Sequence, residues 1–353
     1  MKALIPSGGA GTRLRPITHT SAKQLVPIAN KPILFYALEG IAAAGIREVG
    51  LVVGDTAAEI EQAVGDGAAW GLSVSYIPQE APLGLAHTVL ISREFLGDDD
   101  FVMYLGDNVL KGGIAKLVAA FEERPCDAQI LLTRVHDPER FGVAELDGDR
   151  IVRLIEKPKD PPSDLALVGV YLFTPLIHEA VRAISPSGRG ELEITDAIQY
   201  LIDQGREVRP HLVEGWWKDT GKLEDLLEAN RLIMEDMPEE RAGTADGSSR
   251  LVGNVVLQEG SQVANSTVRG PAVIGRNSRV VDSFIGPYTS IGDGCTIEDS
   301  EIEHSVIMEG CTVRGMHRLE DSLLGKEVVV ERSDDKPKAY RLMVGDHGRV
   351  GVI

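Results

Sequence analysis

Between Leu251 and Val313 the chain carries a periodicity that fits neither an amphipathic helix nor an alternating strand. Aliphatic residues recur at Leu251, Leu257, Val263, Val268, Ile274, Val280, Ile285, Ile291, Ile297, Ile302, Ile307 and Val313, with Gly, Asn, Asp and Ser between them. The first nine steps run 6, 6, 5 three times over, so three inward points close one coil about every seventeen residues. Such spacing predicts a hexapeptide-type parallel β-helix of about four coils, each aliphatic residue lying on one of three faces. Cys295 and Cys311 fall about one coil apart and are expected to stack inside the prism.

The remainder of the chain has a different rhythm. From Met1 to about Asp236, short aliphatic and β-branched runs (KALI, EVGLVV, SVSYI, FVMYL) alternate with helical patterns (PILFYALEGIAAAGI, AAEIEQAV). That alternation predicts βαβ units around a mixed, mostly parallel, Rossmann-like sheet, so the fold class is α/β followed by a β-helix. FGVAELDGDRIVRLIEKP reads as a hairpin turning at Asp147-Gly148-Asp149. Met237–Arg250 loses periodicity and gains Gly, Ser and charge, which places a boundary there. The expected division is a catalytic domain over 1–240, the β-helix over 250–330 and a tail over 331–353.

Composition removes several function classes. A formal net charge of -18 leaves no basic face for a nucleic-acid backbone. Three cysteines without metal-ligand spacing argue against a disulfide framework or a zinc site. No apolar stretch reaches the roughly 18 residues a membrane helix needs, and the N-terminus lacks a signal-peptide pattern, so the expectation is a cytoplasmic protein without a membrane partner.

Against that acidic background, SGGAGTRLRP is conspicuous: Gly8, Gly9 and Gly11 stand beside Thr12, Arg13 and Arg15, directly after the first apolar run. Glycines in a turn after a strand let backbone N–H groups approach phosphate closely. The loop matches neither the P-loop nor the dinucleotide fingerprint, and alone it is equally a structural turn with solvated arginines. Asp107 follows the buried run Phe101–Leu105, and ligands of open α/β sheets sit at the carboxyl ends of strands.

Taken together and in order, GGAGTRLRPIT, SAKQLVPIANKP, QEAPLGLAH, YLGDN, ERFGVAE, IEKP, LVGVYLF, RGELEITD and WKDTG resemble the motifs of the sugar-1-phosphate nucleotidylyltransferases. Lys23-Gln24 is similar to the thymidylyl branch, and the repeat to its long form with a C-terminal β-helix. The resemblance implies transfer of a thymidylyl group from dTTP to glucose 1-phosphate with Mg²⁺, in a homotetramer supplying dTDP-deoxysugars such as rhamnose or antibiotic sugars. It implies that Gly8, Gly9, Gly11, Thr12 and Arg13 hold nucleotide phosphates, that Lys23 reaches them, and that Gln24, Gln79, Gly84 and Leu85 surround the nucleoside. Gly142 and Val168 through their backbones, with Glu156, Lys157, Tyr171 and Arg189, would take the sugar phosphate, and Asp107 and Asp219 the metal. Arg13, Lys23 and Lys157 carry the catalytic roles in that reading. Pro6-Ser7 departs from the family's more usual Leu-Ala and is expected to alter the strand end rather than the phosphate contacts.

Local readings compete with several of these roles. Val168 and Tyr171 equally suit a strand core, Trp216 and Trp217 suit packing beneath a site, and Glu193 and Asp196 suit the first turn of a helix. Two other functions have sequence support. The β-helix could carry acyl transfer, for which His304 and His317 are the only repeat histidines. Alternatively the chain could be a non-catalytic sugar-nucleotide-binding subunit, which the presence of Arg13, Lys23, Asp107, Lys157 and Asp219 opposes.

Overall fold

Residues 1–9, 11–19 and 21–332 are described by the computed structural model. They divide into two units. Met1–Gly11, Ser21–Val26 and Pro32–Gly221 form the first, and Thr12–Thr20, Pro27–Lys31 and the chain from Lys222 onward form the second.

In the first unit the apolar runs become β1 (Lys2–Pro6), β2 (Glu48–Val53), β3 (Ser73–Pro78) and β4 (Phe101–Tyr104). A short β5 (Asn108–Leu110) follows, then β6 (Ala128–Arg134), β7 (Gly142–Asp147), β8 (Arg150–Glu156), β9 (Leu165–Phe173), β10 (Val208–Leu212) and β11 (Trp217–Asp219). The main sheet runs β8-β7-β9-β4-β1-β2-β3, with β6 also on β9 and β10 on β6. β1 pairs in parallel with β2 and β4, β2 in parallel with β3, and β9 lies antiparallel to β4.

Alternate residues of these strands point to opposite layers, and both layers are apolar. Ala3, Ile5, Leu51 and Tyr104 join a core with Leu38 and Ile41 of the helix Ile33–Ala43. Leu4, Val52 and Met103 join another with Ile198 and Leu201 of the helix Ile194–Asp203. Burial on both faces makes the strands near-continuous hydrophobic runs, the signature of a sheet covered by helices on each side. β7 and β8 form the hairpin turning at Gly148-Asp149, with Asp147 opposite Arg150.

The second unit is the prism. Two six-stranded parallel sheets and one five-stranded parallel sheet stack short strands in register. Val255, Ala272 and Thr289 succeed one another at seventeen-residue spacing on one face. Inside lie Val263, Val268, Ile274, Val280, Ile285, Ile291, Ile297, Ile302 and Val313, with Cys295 and Cys311 among them. Serines supply a second order at one corner: the Oγ of Ser249, Ser266, Ser283 and Ser300 each accept from the backbone N–H one coil on, at Ser266, Ser283, Ser300 and Met316.

Two expectations change. The prism has more than about four coils, because strands already pair at Glu240–Arg241 and Thr244–Ala245, inside the segment read as a linker. The helix Leu223–Glu235 groups with the prism too: Asn230 donates to the Tyr288 carbonyl and its Oδ1 accepts from Ser290. The linker reading failed because this first coil has exposed, polar strands without the inward aliphatics that mark the others. All of the expected tail except Glu331 and Arg332 lies outside the described residues.

Candidate active site

The carboxyl ends of β1, β2, β3 and β4 meet at the glycine loop. Gly8 packs so closely on Gly54, after β2, that a Cβ on Gly54 would stand 2.9 Å from the Gly8 carbonyl oxygen. Gln79, just past β3, is anchored by its N–H to the Val53 carbonyl at 2.8 Å, and its Oε1 lies beside Gly8. Its Nε2 is 2.9 Å from Nδ1 of His87.

Lys23 sits on the single turn Lys23–Leu25, its ammonium beside the Gly9 Cα and paired with the Asp107 carboxylate. Both side chains are about five-sixths buried, at 16% and 15% exposure. Burial opposes the Asp107 charge. The Lys23 ammonium, its hydrogen bond and the Asn108 amide outweigh that penalty and hold the carboxyl below its ordinary range. Asp107 is therefore ionised at neutral pH.

Residues far apart in sequence complete the cluster. β11 pairs antiparallel with β5, which sets Asp219 directly opposite Asn108. Thr220 clamps the turn, its N–H 3.1 Å and its Oγ1 2.7 Å from the Asp107 carbonyl oxygen. Asn108 donates to Asp107 Oδ1 at 3.0 Å and accepts from Trp217 Nε1, while the Trp217 ring meets Phe141 edge-on. Trp217 thus holds the acidic turn from beneath.

A second cluster lines an open cavity of about 730 Å³ bordered by Glu156, Lys157, Arg189 and Glu193. Lys157 takes a left-handed conformation at φ 42° although Pro158 follows, a strained arrangement of the kind found at functional sites. Its ammonium lies 3.3 Å from Glu156 Oε1. Arg189 reaches the same oxygen at 3.2 Å and contacts both Glu193 oxygens at 2.8 Å. Glu193 caps the start of the helix Ile194–Asp203, and its carboxylate is spent on Arg189 rather than on the helix N-terminus. Gly142 lies against Thr195 and Glu156.

Gly84 and Gly169 are required by their surroundings. At Gly84, φ is 102° and a Cβ would stand 2.4 Å from the Leu192 carbonyl oxygen, so only glycine can cap the helix Leu85–Ile91 there. At Gly169, φ is 80° and the register of β9 against β6 shifts between Leu167 and Tyr171. The freed Gly169 carbonyl accepts from the Leu105 N–H at 3.0 Å, which sets the loop leading to Asp107.

The structure does not bring every expected residue to these clusters. The Val168 side chain is fully buried, and Tyr171, 3% exposed, stacks on Phe173. Both side chains are core, which leaves Val168 only its backbone to offer a sugar. Gln24 is buried with its Oε1 unpartnered, and Leu85 opens the helix after Gly84. Thr12 and Arg13 form a single turn assigned to the second unit. His304 pairs with Asp321 on an outer corner of the prism. Sequence reading missed His87, Thr195 and Thr220, whose only signal is adjacency to the GLAH, ELEITD and WKDTG motifs. No group of three or more His, Cys, Asp or Glu suited to a metal exists among the described residues, and no helix among them is long and apolar enough to cross a membrane.

The family model for nucleotidyl transferases matches residues 2–236, the span that holds both clusters. The chain belongs to the nucleotidyl transferase family. It is 58% identical over 353 residues to a glucose-1-phosphate thymidylyltransferase of Streptomyces griseus, covering 100% of this chain and 99% of that one. A low-salt glycan biosynthesis nucleotidyltransferase of Haloferax volcanii is 46% identical across 99% of both chains. Among solved structures, a UDP-glucose pyrophosphorylase complexed with UDP-glucose is 27% identical at a TM-score of 0.60, covering 67% of this chain and 99% of that one.

Proposed function

We propose that the chain transfers a thymidylyl group from dTTP to α-D-glucose 1-phosphate, releasing pyrophosphate and dTDP-glucose. The observation that carries this reading is the meeting of Gly9, Lys23 and Asp107, with Asp219 on the neighbouring strand, in a chain alignable end to end with a thymidylyltransferase.

A sugar 1-phosphate is largely dianionic at neutral pH, since its second pKa is about 6, so its oxygen attacks without a general base. The new bond forms between that oxygen and the α-phosphorus, while the bond from the α-phosphorus to the bridging oxygen breaks and pyrophosphate departs with the electron pair. The obstacle is repulsion between two anions, and positioning plus cationic stabilisation overcome it. Lys157, with Arg189 behind it, holds the sugar phosphate. Lys23 and the glycine-loop N–H groups hold the triphosphate. Glu156 and the Gly142 and Val168 backbones face the sugar. Tyr171 supports that wall from the core.

The ionised Asp107 carboxylate, with Asp219 on the strand next to Asn108, suits a hard divalent cation, which takes one or two carboxylates together with phosphate oxygens. Asp107 and Asp219 would hold Mg²⁺, whose chemistry there is charge neutralisation at the α-phosphate. Gln79 pairs with N3–H and O4 of thymine, with Gly84 and Leu85 against the ring. The thymine methyl is worth about 0.8 kcal/mol, so discrimination against UTP through that group is about fourfold. A homotetramer in the cytoplasm completes the proposal.

Mass-spectrometric analysis of an incubation with dTTP, glucose 1-phosphate and Mg²⁺ tests the reading. dTDP-glucose is the expected product, and its absence at saturating substrate sinks the proposal.

A further inference from the structure

An amide that reads a base has two faces, and nothing in glutamine itself fixes which one is presented. Gln79 is fixed from outside. Its Nε2 lies 2.9 Å from His87 Nδ1, while its Oε1 lies on the Gly8 side. With Nε2 donating, the imidazole must be neutral, with Nδ1 bare and the proton on Nε2. One N–H of the amide is then committed to His87, and the other N–H and the carbonyl oxygen remain for a ligand.

The segment bearing His87 is itself held rigidly. The helix Leu85–Ile91 starts at Gly84, where the chain is locked against Leu192 by Leu192 N–H to the Leu83 carbonyl at 2.7 Å and Ala86 N–H to the Leu192 carbonyl at 3.0 Å. Gln79 is tied to β2 through Val53. Two anchored backbones therefore set the distance between amide and imidazole.

We propose that His87 is the positioning residue for base selection, holding the Gln79 amide so that an acceptor and a donor face the N3–H and O4 of thymine. The inference rests on Gln79 as the base-reading residue. A released amide can turn over and present two donor hydrogens beside its oxygen in reversed order, the pattern that suits the N3 acceptor and N4 donor of cytosine. His87 thus selects against cytosine without touching the base.

The electrostatic surroundings agree. Burial alone pushes the His87 pKa below the usual histidine range, and Glu80 is the one charged residue between Gln79 and Ser92. The accepting, neutral form is therefore the one present at neutral pH.

The test compares wild-type, Gln79→Ala, His87→Leu and His87→Asn enzymes in steady-state pyrophosphate release with dTTP and dCTP. His87→Leu should raise the dTTP KM about tenfold, the worth of roughly one net hydrogen bond, with kcat within twofold. Its preference for dTTP over dCTP should fall by a similar factor. His87→Asn offers an acceptor that does not titrate, and should restore the dTTP KM to within threefold. The wild-type KM should rise as pH falls and protonates Nδ1, while that of His87→Asn stays flat. Nitrogen NMR of the wild type should show Nδ1 unprotonated. A normal KM and selectivity in His87→Leu, beside a defective Gln79→Ala, overturn the inference alone. An unaltered dTTP KM in Gln79→Ala overturns the base-reading assignment and this inference with it.

Discussion

The two units of this chain solve opposite problems. In the prism successive coils repeat the same interactions, so most inward aliphatics and corner serines have an equivalent sixteen or seventeen residues away. In the first unit nothing repeats: Asp107 meets Lys23 and stands beside Asp219 because β1, β4 and the β5–β11 pair happen to converge. Periodic structure spreads stability over many equal contributions. Aperiodic structure concentrates function in a few side chains that no neighbour can replace.

If that contrast holds, the largest effect in the molecule belongs to one carboxylate. Asp107→Asn should lower kcat at least a thousandfold, because it removes the charge that pairs with Lys23 and a hard oxygen ligand together. Circular dichroism should show the fold retained; turnover within tenfold of wild type would break the assignment. The prism should behave in the reverse way. Ile297→Ala, at a fully buried inward position, should destabilise by about 3 kcal/mol in denaturant unfolding, with kcat/KM unchanged below the melting range.

A comparable effect should appear with pH in the first unit, where a buried histidine packs in the apolar layer. His178 is buried and stacked on Phe101. Burial first, and then Arg93 and Arg182, push its pKa down to about 4. The unfolded chain takes up a proton near pH 6.5 that the folded chain refuses until about pH 4. Stability should therefore fall as pH drops through that window, by up to about 3 kcal/mol, and His178→Phe should flatten the slope. The smallest effect is expected at Gly84→Ala, about 2 kcal/mol of strain against Leu192, read as a lowered Tm together with a raised dTTP KM.

The same contrast decides what could be read in advance. The prism is legible because its signal recurs, and the signal fades where the pattern does: the first coil at Glu240–Ala245 has exposed strands without inward aliphatics and reads as a linker. The mixed, mostly parallel sheet was legible in the alternation of apolar runs and helical patterns, and the Asp147–Arg150 hairpin in its turn residues, but the order of the strands was not. The candidate site was legible only as a set of motifs. Residue type could not tell that Tyr171 stacks in the core, since a buried strand and a ligand wall both favour aromatics. Nor could it reveal His87, whose role depends on a 2.9 Å contact created by two backbones that meet only in the fold.

The most direct measurement is pyrophosphate release with glucose 1-phosphate and each nucleoside triphosphate, with and without Mg²⁺, in the wild type and Asp107→Asn. Mg²⁺-dependent release from dTTP, weaker release from UTP, and none above background in the variant are predicted. Absence of release from dTTP in the wild type, or equal release from the variant, would contradict the account.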